Sequence, residues 1–247
     1  MPCLCSIIAY GVRLIVSCLV VMRRLTLAAI TVGAVLSACL PVDVAGTSTP
    51  APTATMLATD PRDFDTDGIV GFNRSGLSVE LQRPKGWESF TTDYGVVIAE
   101  KFPSVADHGQ LQGLMAYVFV TPLAEFPFVI DEDPALNSAL QVLAGIAADA
   151  SASGSAHVTR AEGFEWAGYD AAYYLLSEPN SGLRTLVIGL SLPETGVILT
   201  CAVSAPHQSA ARIRAMLPLL LGGLMLNTQT IGADDLQGLP ETLDFPE

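Results

Sequence analysis

The chain predicts an α+β fold, an antiparallel sheet with helices packed on it, for residues 68–227. Three observations predict it. Segments of strand period and segments of helical period come in the order strands, helix, strands, helix. The later strands are separated by turns too short to reverse any pairing but an antiparallel one, Pro179-Asn-Ser-Gly182 and Pro193-Glu-Thr-Gly196. The two helical segments each carry one apolar stripe, which needs a sheet face to bury it.

The elements follow in order. Ile69–Asn73 and Leu77–Gln82 flank Ser75-Gly76 and read as a hairpin, with Leu77, Val79 and Leu81 alternating with Ser78, Glu80 and Gln82. Pro84-Lys-Gly-Trp87 breaks the second strand. Strands are expected over Gly95–Phe102 and Leu114–Pro122, the latter nearly all apolar and therefore central. Asp133-Pro134 supplies an N-cap and a proline at the first helical position. Leu136, Leu140, Leu143, Ile146 and Ala147 then mark one helix face, and Ser151-Ala-Ser-Gly154 ends it. Four strands are expected next, Ala156–Ala161, Ala171–Ser177, Leu183–Leu192 and Gly196–Ser204. A final helix runs from Pro206 to about Leu226, with Ile213, Leu217, Leu220 and Leu224 on its apolar face and Pro218 as a kink. Its all-apolar end is about 12 residues long, too short to span a bilayer. Residues 228–247 are acidic and proline-containing and are expected to be a loosely held tail.

The sequence before the domain reads as an address. Arg23-Arg24 precede the uncharged, mostly apolar run Leu25–Leu36, and Ser37-Ala38-Cys39 follow, the layout of a secretory signal. The run is about a dozen residues, too short for roughly 30 Å of hydrocarbon. Leu36-Ser-Ala-Cys39 resembles the lipobox of bacterial lipoproteins. That resemblance implies cleavage before Cys39, lipidation of Cys39 on sulfur with palmitate-type acyl chains, and attachment to the cell membrane on its extracytoplasmic side. Translation is expected to start at Met22, leaving residues 1–21 as an over-extension, because Arg13 and Arg23-Arg24 would otherwise sit inside a hydrophobic segment. The signal peptide is then 22–38. Residues 39–67, rich in Thr, Pro and Ala, form a flexible spacer without periodicity. Leu25-Thr26-Leu27 after the two arginines lacks the Phe expected of a twin-arginine export motif.

Composition narrows the function. The chain carries a net charge of −13; after Cys39 there are nine Lys and Arg against 25 acidic residues, a net charge of −16. Such a surface repels nucleic acid and anionic headgroups, so no nucleic-acid partner is expected and membrane attachment falls to the acyl chains. Cys3, Cys5 and Cys18 precede the cleavage point and Cys39 is taken by lipid, which leaves Cys201 alone. One cysteine forms no internal disulfide, and an apolar run makes it a buried, inert thiol.

Gly76-Leu-Ser-Val-Glu-Leu-Gln-Arg-Pro-Lys-Gly-Trp87, Gly168-Tyr-Asp-Ala-Ala172 and the Leu-rich final helix resemble exported PsbP/Mog1-like domains, which occur in small bacterial lipoproteins. The resemblance covers most of residues 68–227. It implies an α-β-α sandwich around an antiparallel sheet in a group that includes photosystem accessory subunits and protein-binding adaptors. It brings no shared catalytic residue set.

Chemistry-bearing residues are few. Asp63-Phe-Asp65-Thr-Asp67-Gly68-Ile-Val70 matches the first part of an EF-hand calcium loop, so Asp63, Asp65 and Asp67 are calcium candidates. The match departs where Arg74 replaces the bidentate Glu and where no helix precedes. His108, His157 and His207 are in no metal-ligand spacing. Ser191 in Gly189-Leu-Ser-Leu-Pro193 has the wrong last residue for a nucleophile elbow. Glu162, Glu165 and the Asp131-Glu-Asp133 loop are carboxylates in a chain full of them. Trp87, Phe90, Tyr94, Phe126, Phe128, Trp166, Tyr169, Tyr173 and Tyr174 offer core and, near loops, a recognition surface. The sequence therefore points to a lipid-anchored, extracytoplasmic binding or accessory module without catalysis or cofactor, held at the membrane through its N-terminal lipid and serving a protein partner in the envelope. The alternative is an extracytoplasmic enzyme, a hydrolase with an unrecognised site.

Overall fold

A computed structural model describes residues 66–103, 110–131, 133, 136–232 and 234–247. Among these described residues the strands, all paired antiparallel, form two sheets, and two α-helices complete an α+β fold.

The first hairpin forms as its alternation requires. β1 (Thr66–Arg74) and β2 (Leu77–Pro84) pair with Phe72 opposite Val79 and Arg74 opposite Leu77. Ser75 and Gly76 both take positive φ, 53° and 78°, the geometry of a two-residue turn whose twist matches the strands. β3 (Glu88–Thr91) was not expected. It is short and half-buried at the edge of the larger sheet beside β4 (Gly95–Ala99). β5 (Met115–Pro122) is inside that sheet, between β4 and β10 (Val197–Pro206), as its apolar run demands. Gly95 faces β5 so closely that an added Cβ would collide with the Val118 carbonyl oxygen.

The first helix, α1 (Ser138–Ala152), starts later than expected. Its N-cap is Asn137, whose side-chain oxygen accepts from the Leu140 N–H at 2.8 Å. Asp133 instead donates its backbone N–H to the Asp131 carboxylate, and Leu136 is left outside the helix and 43% exposed. Asn137 wins because its amide also donates to the Ala171 carbonyl of the strand Tyr169–Glu178 at 2.9 Å, tying cap to sheet. Leu143 lies over Gly189 of the strand Leu183–Leu192, where a Cβ would stand 3.1 Å from Leu143 Cγ. The glycine lets the helix approach the sheet.

Beyond α1 come β6 (His157–Val158), β7 (Glu162–Trp166), β8 (Tyr169–Glu178) and β9 (Leu183–Leu192). The expected strand over Ala156–Ala161 shrinks to two residues, and β7 pairs with β8 through the tight turn Ala167-Gly168. The larger sheet runs β3-β4-β5-β10-β9-β8-β6. Its two faces carry different helices. Ala172, Tyr174, Val187, Ile198 and Ala202 pack under α1. Leu175, Leu186, Ile188, Leu199 and Val203 pack under α2 (Ala211–Leu221) with Ile213, Leu217 and Leu220. Pro218 lies inside α2, near its end.

The expected helix to Leu226 stops at Leu221. Leu224–Leu226 is a strand, β11, pairing with β2 through Met225 opposite Glu80 and with β12 (Gln229–Ile231) across a turn at Asn227, φ 57°. The smaller sheet is therefore β1-β2-β11-β12 and shares the α2 side of the core. Residues 228–247 are not loosely held. Ile231, Leu236 and Leu239 are buried, Leu243 and Phe245 pack on the same core, and Arg214 of α2 donates to the Pro240 and Leu236 carbonyls at 3.0 and 3.3 Å. Burial of large apolar side chains, about 1.5–3 kcal/mol each, outweighs the segment's acidity.

Candidate functional site

The residues singled out by sequence do not converge. Cys39, Asp63, Asp65, Glu132 and His108 lie outside the described residues. Asp67 is on β1, and both its oxygens are engaged, by Arg83 Nε at 2.9 Å and by the Gly86 N–H at 3.3 Å. The Arg83 guanidinium, and after it the Gly86 N–H, hold the Asp67 carboxyl below the ordinary aspartate range. A carboxylate already paired with a guanidinium is a poor start for a calcium site. Arg74, where the calcium loop would place its Glu, reaches Glu125 with one nitrogen at 3.0 and 3.2 Å and stacks on the Tyr94 ring, 4.3 Å from its centre. Among the described residues no three His, Cys, Asp or Glu side chains are grouped to hold a metal ion.

The other candidates are equally scattered. His157 on β6 meets the Glu247 carbonyl, and His207 opens the short 3-10 turn after β10. Cys201 is buried in the core, and burial pushes its thiol up to about 12, far from thiolate chemistry. Glu162 accepts from the Tyr173 hydroxyl at 2.8 Å; burial first, then Glu162, raises that tyrosine to about 12. Trp87 is packed in the core. Tyr94, at 54% exposure, is the most exposed aromatic of the described residues.

A site the sequence did not reveal lies where α1 meets the end of the sheet. A cleft of about 280 Å³ is lined by Leu136 and Ser138 at the entry to α1, by Gly168, Tyr169 and Asp170 at the β7–β8 turn, and by Ser191 and Pro193 where β9 ends. Asp170 and Ser191 are adjacent by strand register. Ala171 pairs with Leu190, so the next position sets Asp170 opposite Ser191, with Cβ atoms about 4.5–5.5 Å apart. Parity puts both on the α1 face, since Ala172 and Val187 on the same two strands pack under α1. Glu165 of β7 pairs with Asp170 from the other side, so two carboxylates stand side by side.

Ser191 is 5% exposed. Among the described residues its hydroxyl has no hydrogen-bond partner, so the cleft is where a ligand or water would supply one; Asp170 beside it is exposed and turns its carboxylate to solvent. A serine hydroxyl with no base hydrogen-bonded to it is a weak nucleophile; the Asp170 carboxylate stands beside Ser191 without bonding it, and among the described residues no histidine, cysteine or lysine lines the cleft. The arrangement offers a carboxylate and two serine hydroxyls to a ligand. Asp170 stands within the Gly168–Ala172 motif, but its partnership with Ser191 is made by the β8–β9 register, 21 positions apart, and no local pattern signals it.

These features define an α+β protein of antiparallel sheets with one helix on each face of the larger sheet and a small polar cleft at a helix entry. The chain matches no protein-family model, and no curated protein matches it in sequence. Among solved structures it is similar to the solution structure of cyanobacterial PsbP (CyanoP) from Synechocystis sp. PCC 6803, with 14% identity and a TM-score of 0.41 over 64% of this chain and 92% of that one. It is similar also to the Ran-binding protein Mog1p of Saccharomyces cerevisiae, with 10% identity and a TM-score of 0.34 over 57% and 78%. A mutant of the protein Mog1 gives 9% identity and a TM-score of 0.38 over 68% and 98%. These are likenesses in outline, and no role is taken from them.

Proposed function

We propose that this protein is a lipid-anchored, extracytoplasmic binding or accessory module. Leu36-Ser-Ala-Cys39 and the charges and apolar run before it support the anchor on Cys39 and the extracytoplasmic side of the cell membrane. No helix among the described residues is long and apolar enough to cross a membrane. From Cys39 to the first strand at Thr66 is about 27 residues, and a flexible chain of that length spans roughly 30 Å on average. The domain would stand clear of the headgroups yet remain close to envelope partners.

The observation that favours binding over hydrolysis is the condition of Ser191. Its hydroxyl has no hydrogen-bond partner among the described residues, so no base is seated on it there, and the Asp170 carboxylate beside it lines the cleft, where it can hold a ligand.

Metabolic labelling with a palmitate analogue tests the anchor, comparing the wild type with Cys39→Ser. Label confined to the wild type, with membrane fractionation lost or the precursor uncleaved in the variant, is the expected result. Equal label in both, or none in either with the protein freely soluble, refutes it. A hydrolytic turnover that Ser191→Ala abolishes would overturn the binding reading.

A further inference from the structure

We propose that the cleft between the α1 entry and the β7–β8 turn binds a primary ammonium group on a short alkyl stem, from a free small amine or a lysine side chain of a protein partner. The inference rests on the binding-module reading and names its ligand, but it is independent of the lipid anchor.

Charge decides the sign of the ligand. Asp170 lines the cleft, Glu165 is its cross-strand neighbour, and among the described residues no Lys or Arg lines the site. Two carboxylates paired directly across strands repel each other, and a cation between or beside them relieves that repulsion. The α1 N-terminus carries an opposing partial positive charge, about half a unit. Asn137 caps it by accepting from the Leu140 N–H, and Asp170 brings a full negative charge. The acidic surface of the whole chain adds a field that concentrates cations near it.

Hydrogen bonding decides the kind of cation. Ser191 as a residue is 5% exposed, and its hydroxyl opens on the cleft with no partner among the described residues. Ser138 and Asp170 also line the site and are likewise unpartnered among those residues. An ammonium has three donors on one compact centre. It can therefore meet the Asp170 carboxylate and the Ser191 and Ser138 hydroxyl oxygens together. Leu136 and Pro193 on the walls suit a short alkyl stem, and about 280 Å³ limits the ligand to something small.

Calorimetry on the full chain in mild detergent tests this with n-butylammonium chloride, its uncharged analogue 1-butanol, and a blocked Gly-Lys-Gly tripeptide. The expected result is binding of an ammonium probe at about millimolar Kd or tighter, with 1-butanol at least about tenfold weaker. Asp170→Asn, at an exposed position, should weaken ammonium binding about tenfold or more, and Ser191→Ala should weaken it in the same direction. Thermal melts check that both variants remain folded. Equal binding of 1-butanol and n-butylammonium overturns the proposal without any variant. So does the absence of binding by either ammonium probe to about 10 mM, or unchanged affinity in a folded Asp170→Asn protein. Tighter binding of the tripeptide assigns the ammonium to a protein side chain, and tighter binding of n-butylammonium assigns it to a free amine; either upholds the site. Failure of all probes while Cys39 still takes label removes the ligand and leaves the anchor standing.

Discussion

Replacing Trp166 should unfold the protein far more readily than a surface change, because it joins the sheet to the C-terminal segment. The side chain is fully buried in the main core and donates its indole N–H to the Gly232 carbonyl at 3.0 Å. Trp166→Ala loses both packing and hydrogen bond and leaves a cavity, a loss of about 3–5 kcal/mol. Trp166→Phe keeps most of the packing but orphans the Gly232 carbonyl, a loss of about 1–3 kcal/mol. In urea, with a slope of about 2 kcal/mol per molar, the midpoints should fall by about 2 M and about 0.5–1.5 M. Far-UV circular dichroism of the full chain is the assay, since changing one of two tryptophans complicates fluorescence. Ending the chain after Gly232 removes the buried Leu236 and Leu239 and should itself cost about 3–6 kcal/mol. Combined with it, Trp166→Ala should add less than it does alone, because both changes open the same packed region. A Trp166→Ala midpoint within about 0.3 M of wild type would refute the docking of residues 234–247 on the core.

Gly95→Ala should separate β4 from β5, because the new Cβ meets the Val118 carbonyl oxygen and lies 2.8 Å from Phe119 Cα; urea melts should show a loss of about 1–3 kcal/mol, and an unchanged midpoint would count against this register. Tyr173, raised to about 12 in the folded protein, contributes stability that is fully present below pH about 10 and lost as pH rises through about 12. Spectrophotometric titration should show a late-ionising tyrosine that Tyr173→Phe removes, and ionisation of every tyrosine near pH 10 would refute it. Calcium should leave the melting temperature within a few degrees of the chelator control, since saturation at 100 times the dissociation constant would add about 2.7 kcal/mol and Asp67 is already engaged by Arg83; a larger shift removed by Asp65→Ala would restore the calcium loop.

The amino-acid sequence by itself determined the elements whose local code and burial agree. Leu183–Leu192 forms with the bounds its apolar run and flanking turns imply, and Ser75-Gly76 turns the first hairpin because glycine tolerates positive φ. Tertiary structure decided the places where local preference was weak or ambiguous. Leu224-Met-Leu226 is a good helix former, yet it is a strand because β2 offers an edge to pair with and Asn227 bonds Ser78 through both backbone and side chain. Asp133-Pro134 is a sound N-cap on local grounds, yet Asn137 caps α1, and its amide also donates to β8. The candidate site belongs to the same category. Asp170 and Ser191 become neighbours through the pairing of two strands. The cleft exists only once α1 is laid over them, and a contact between distant residues leaves no periodicity in the chain.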